Sequence, residues 1–120
     1  MKSLITSLFL VVSLLVTGCH GYKVHPGAYN KLDSKTYDTL LVTQGVIEEA
    51  KLNRTKYNVQ ANQALDNLIV GYNTAMHDYK TYHNALETNS PADKLNAILN
   101  ASMDVLSSLL NRFHTAKLLN

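Results

Sequence analysis

Eight residues between positions 61 and 86 recur at spacings of 4, 3, 4, 3, 4, 3 and 4: Ala61, Leu65, Leu68, Tyr72, Ala75, Tyr79, Tyr82 and Leu86. Alternating threes and fours draw one apolar seam along a helix, whereas a strand would repeat every second residue. Asp66, Asn67, Asn73, Asp78 and Lys80 fall off the seam. The pattern predicts a helix over about Tyr57 to Leu86, on the order of 45 Å long. A helix with one apolar stripe gains its stability from whatever covers that stripe, so the flanking segments must supply partners.

Both flanks do. Asp33 and Ser34 are candidate N-caps for a first helix, with Asp38 in an early turn and Leu40, Leu41, Ile47 and Ala50 as its stripe. The polar stretch Lys51 to Asn58 predicts a turn before the seam helix. It holds no Pro or Gly to enforce a break, so one long bent helix is the alternative. After the seam, Ser90 is a candidate N-cap, Pro91 a first helical residue and Asp93 a capping-box acid. A third helix then carries Leu95, Ile98, Leu99, Met103, Leu106, Leu109, Leu110 and Phe113. So short a turn makes the second and third helices antiparallel. Alternating valine-rich runs are absent beyond the N-terminus. The expected fold is all-α: an up-down-up three-helix bundle over residues 34–120. Twelve asparagines, poor helix formers, mean that packing rather than propensity must hold these helices. Gly45 and Gly71 lie inside them, either to let helices cross closely or as tolerated residues.

Ahead of the bundle, residues 19–33 read as a flexible tether, with Gly21, Pro26, Gly27 and Asn30 and no periodicity. Residues 1–18 read as a signal helix. Lys2 is a short basic start, and Leu4 to Val16 is an apolar run of 13 residues. A membrane span needs about 20, so the run suits a signal peptide. It ends in Val16-Thr17-Gly18-Cys19.

That ending resembles the lipobox of bacterial lipoproteins. The resemblance implies that the Cys19 thiol carries a diacylglycerol, that the chain is cut before it, and that the new terminus is acylated too, with palmitate-like chains. It also accounts for Cys19 being the only cysteine. His20 stands where Asp would favour inner-membrane retention, which implies the outer membrane, facing the periplasm, in a double-membrane source. The remainder, with His25-Pro26-Gly27 before its helices, resembles small helical lipoproteins. That likeness brings no activity with it.

Charge and motifs narrow the function. Eleven basic against nine acidic residues give a net charge of +2, no electrostatic case for nucleic acid. One cysteine excludes an internal disulfide and a multi-Cys zinc site. There is no Gly-x-Ser-x-Gly elbow, glycine-rich phosphate loop or His-Glu-x-x-His. Glu48 and Glu49 are consecutive and project about 100° apart. His20 and His25 fall in the tether. His77 and His83, six apart, point to different faces. His77 opposite His114, with Met76 near Met103, would recreate a haem-like axial pair, but no Cys-x-x-Cys-His motif accompanies them.

Tyr72, Tyr79 and Tyr82 read either as core and rim residues or as a face for a partner. The expectation is a non-enzymatic envelope lipoprotein without a cofactor. It is anchored through Cys19 and presents a helical bundle to a protein partner or to copies of itself. The alternative is a periplasmic binding module for a metal, haem or small apolar ligand.

Overall fold

The computed structural model describes residues 27–119, in which every regular element is helical. Three helices pack together: α1 (Lys31–Leu52), α2 (Val59–Glu87) and α3 (Asp93–Leu118). One 3₁₀ turn, Arg54–Lys56, joins the first two. The helix carrying the seam is the central element, and α1 and α3 each pack along it.

The seam is buried as its spacing requires. Ala61, Leu65, Leu68, Ala75 and Tyr82 are buried on α2, and Tyr72 and Tyr79 lie half-buried against the core. Leu65, Leu68 and Ala75 form one core with Leu40, Ile47 and Ala50 of α1 and Leu106, Leu110 and Phe113 of α3. Both pairings run antiparallel. Going down α2, Asp33 meets His83 and Tyr37 meets Tyr79. On the other side Ser102 bonds Asp78, and Leu109 packs on Gly71.

Asparagine turns out to build the boundaries. Asn30, not Asp33 or Ser34, caps α1: its Oδ1 accepts from the Asp33 backbone N–H at 2.8 Å. α1 therefore starts at Lys31, and Asp33 and Ser34 are buried within its first turns. Asn53 ends α1, and Asn58 caps α2 by accepting from the Ala61 N–H at 2.8 Å. Asn62 donates to the carbonyls of Arg54 (3.0 Å) and Tyr57 (3.2 Å), tying the connector to α2. The polar stretch is thus a true break rather than a bend. These side chains make the local backbone bonds that short amides favour at helix ends and turns.

The α2–α3 corner also departs from expectation. Asn89 adopts φ of 55°, and the Ser90 N–H reaches back to the Ala85 carbonyl at 2.8 Å while the Asn89 N–H reaches Leu86 at 3.3 Å. That is a Schellman closure of α2. Ser90 is consumed by it, and its hydroxyl pairs with Thr88 at 2.8 Å, so it does not cap α3. Pro91 lies in the link, and α3 begins at Asp93 behind Ala92, which makes no side-chain cap bond.

The two helical glycines separate. A methyl group on Gly45 meets nothing within 4 Å, whereas one on Gly71 runs into the Leu109 side chain. Gly71 is where α2 and α3 cross closely. Gly45→Ala should raise stability by about 0.5–1 kcal/mol, the ordinary helix-propensity gain. Gly71→Ala should forfeit that gain in moving Leu109 and end at least about 1 kcal/mol below Gly45→Ala. Urea melts of the two variants check the order.

Candidate functional site

At the end of the bundle where the chain enters α1, a carboxylate is buried. Asp33 is 0% exposed. A buried carboxylate is stable only if it is paired and hydrogen-bonded, because its lost hydration costs several kcal/mol. His83 of α2 supplies the pairing: its Nδ1 lies 2.8 and 2.9 Å from the two Asp33 oxygens. With Nδ1 donating, Nε2 is left as the free ring nitrogen. The Tyr29 backbone N–H donates to Asp33 Oδ2 at 3.1 Å.

Aromatic rings close the cluster. The Tyr29 ring lies 5.0 Å and the Tyr79 ring 5.7 Å from the His83 ring, centroid to centroid. Tyr37 stands 6.3 Å from Tyr79. Asn30 donates its amide to the Tyr82 hydroxyl at 2.9 Å. Burial pushes the Tyr79 hydroxyl up to about 12, and the Asp33 charge, Tyr37 and a hydrogen bond to Asp33 add to the rise. A phenolate beside a buried carboxylate is disfavoured on every count.

The cluster joins three pieces of chain: the segment at Tyr29–Asn30, the first turn of α1 and the last turns of α2. Its chemistry is that of a fastener. It fixes where the chain leading from residue 26 meets the bundle.

The other candidate residues are dispersed. Cys19, His20 and His25 lie outside the described residues. His77 is exposed, whereas His114 is half-buried with its Nδ1 unpartnered. Burial and the nearby Lys117 charge lower the His114 pKa. Asp78 meets Ser102, and twelve helical residues, about 18 Å, separate Ser102 from His114, so His77 and His114 do not face each other. Met76 and Met103 are half-buried against the core. Among the described residues no three His, Cys, Asp or Glu side chains converge as a metal site would require. Tyr82 is 2% exposed, and burial raises the pKa of Tyr72 as it does that of Tyr79. These tyrosines are built into the fold.

The Asp33–His83 pair was missed in the sequence because Asp33 reads as a cap and His83 lies just off the seam. Register arithmetic carries the signal. Asp33 with His83 and Tyr37 with Tyr79 are both symmetric about residue 58, at the end of the expected turn.

The opposite end has a different character. Tyr57 packs edge-on to Phe113 with centroids 5.8 Å apart, and Lys117 lies 4.9 Å over the same Phe113 ring. Arg54 bonds Asp66 at 2.7 Å. Leu52, Val59, Leu118 and Leu119 are exposed there, Leu52 at 84% and Leu119 at 73%. No protein-family model, curated protein or solved structure matches the chain.

Two measurements test the cluster. His83→Phe keeps a ring but removes the donor to Asp33, and should cost roughly 2–4 kcal/mol. His83→Asn, whose amide can stand in for Nδ1, should recover part of that loss. In an alkaline titration followed by phenolate absorbance, Tyr79 should ionise near pH 12, and Tyr79→Phe should remove that late phase. Since the folded-state pKa is raised, the stability tied to the neutral hydroxyl is complete below pH 10 and is lost between pH 10 and about 12.

Proposed function

We propose that this chain is a non-enzymatic bacterial envelope lipoprotein, anchored through lipid on Cys19 and presenting its helical bundle to a protein partner. The observation that carries the reading is the order of features in residues 1–19: Lys2, the apolar run Leu4 to Val16, then Val16-Thr17-Gly18-Cys19. A single acyl chain binds membranes only marginally, whereas two or three make release negligible. In a double-membrane source the bundle sits on the outer membrane and faces the periplasm.

The architecture supports this reading by being unlike at its two ends. The chain leading from Cys19 enters at the end fastened by Asp33 and His83, so the tether exit has a defined place. Exposed Leu52, Val59, Leu118 and Leu119 share the other end, which such an anchor would hold away from the bilayer. Single exposed apolar residues are common, but several gathered at one end suit a contact surface.

Intact-mass measurement on a bacterial membrane fraction tests the anchor. The expected species is residues 19–120 plus two or three acyl chains, lost in Cys19→Ser. An unmodified full-length mass would overturn the reading. A photocrosslinker at Leu119 should capture a protein partner or a second copy, whereas one at exposed Lys94, where α3 begins at the clasped end, should capture far less.

A further inference from the structure

Four rings run in a row across the clasped end. The Tyr29 ring lies 5.0 Å from the His83 ring, His83 lies 5.7 Å from Tyr79, and Tyr79 lies 6.3 Å from Tyr37, centroid to centroid. The two inner rings are half-buried, whereas the outer two, Tyr29 and Tyr37, stand out at 50% and 46% exposure. Leu41, one turn beyond Tyr37 on α1, is 48% exposed. Among the described residues every other Tyr and Phe ring is half-buried or buried, so exposed aromatic surface belongs to this end alone. The exposed apolar residues of the far end are aliphatic. Residues 31–38 and 80–87, which build the clasped end, hold Lys31, Lys35 and Lys80 against Asp33, Asp38 and Glu87. The charges around the ridge therefore balance.

We infer that this aromatic ridge, together with Leu41, lies in the headgroup layer of the bilayer that holds the anchor. The inference rests on the reading that Cys19 carries lipid, and the length of the tether carries it further. Eight peptide steps separate Cys19 from Gly27. Fully extended, they span at most about 28 Å. The clasp lets out no more chain: the Tyr29 N–H is bonded to Asp33, and the Asn30 amide to the Tyr82 hydroxyl. The bundle itself is 47 Å long. Its clasped end is thus confined beside the headgroups, and such confinement lets a contact too weak to hold a free protein persist. Tyrosine suits that layer, with an apolar ring and a hydroxyl that hydrogen-bonds, and it gathers at membrane–water interfaces. A ridge with balanced charge fits zwitterionic headgroups and needs no anionic lipid.

The chain has no tryptophan, so a single indole reports its own position. The test compares Tyr37→Trp with Leu119→Trp in the full chain, isolated from a bacterial membrane fraction and placed in phosphatidylcholine vesicles. Part of the phosphatidylcholine carries a nitroxide quencher close to the headgroup. Both positions are exposed, so both variants should keep the parent melting temperature. The indole at position 37 should be quenched at least about threefold more than that at position 119. Adding Leu41→Glu to Tyr37→Trp should at least halve the quenching, by roughly the cost of setting a carboxylate in the interface. Equal quenching at the two positions, none at position 37, or no effect of Leu41→Glu would overturn the docking. Quenching at position 37 that fades as the protein-to-lipid ratio rises would overturn it too, by assigning the face to a second copy. The intact mass of the same sample separates this result from the anchor. Acylated protein with an unquenched position 37 sinks the docking alone, whereas unacylated protein sinks the anchor and the docking with it.

Discussion

A carboxylate without access to water sits where the chain enters the bundle. Asp33 has no exposed surface, and its charge is met by His83 from another helix, the Tyr29 N–H and the Tyr79 hydroxyl. The apolar core would form from any three well-striped helices. The clasp is satisfied only when α1, the end of α2 and the incoming segment are all in place together. It therefore couples three pieces of chain that hydrophobic burial alone would couple loosely.

Much of the fold was legible because it rests on periodicity. The seam from Ala61 to Leu86 identified α2 and its buried face, and the stripe from Leu95 to Phe113 identified α3. What stayed hidden depends on which of several competent residues is used. Asp33, Ser34, Ser90 and several asparagines all suit a cap, and local chemistry does not choose among them. The core chooses: Asp33 and Ser34 are drawn inside with the first turns of α1, and the capping falls to Asn30. Part of the asparagine, which read as a handicap for helices, serves the boundaries at Asn30, Asn53, Asn58, Asn62 and Asn89, while Asn67, Asn73, Asn84, Asn96, Asn100 and Asn111 stay within α2 and α3. The Asp33–His83 pair lies 50 residues apart in the chain and belongs to no motif. Only the hairpin register between α1 and α2 joins it.

The bundle also has a direction. The clasped end receives the chain from residue 26, and its polar groups are turned inward onto one another. At the far end, Leu52, Val59, Leu118 and Leu119 face water. At the clasped end the incoming segment is fixed by buried hydrogen bonds, whereas the far end gathers exposed aliphatic side chains.

Register gives the clasp its strongest rationale. Stripes spaced by threes and fours can slide past one another by a heptad and still bury apolar surface. Moving α1 by seven residues along antiparallel α2 would set Asp33 against Met76, or beyond the helix at Ser90. Neither supplies the imidazole that His83 does, and an unpaired buried carboxylate costs roughly 3–5 kcal/mol. A slip that the hydrophobic seam would tolerate is therefore penalised by the charge. Tyr37 against Tyr79 keeps the same register as the pair, and Asn30, just ahead of α1, closes on the Tyr82 hydroxyl. The buried Asp33–His83 pair thus acts against the wrong alignments more than it adds to the right one, and this is why a polar cluster stands where leucines would pack.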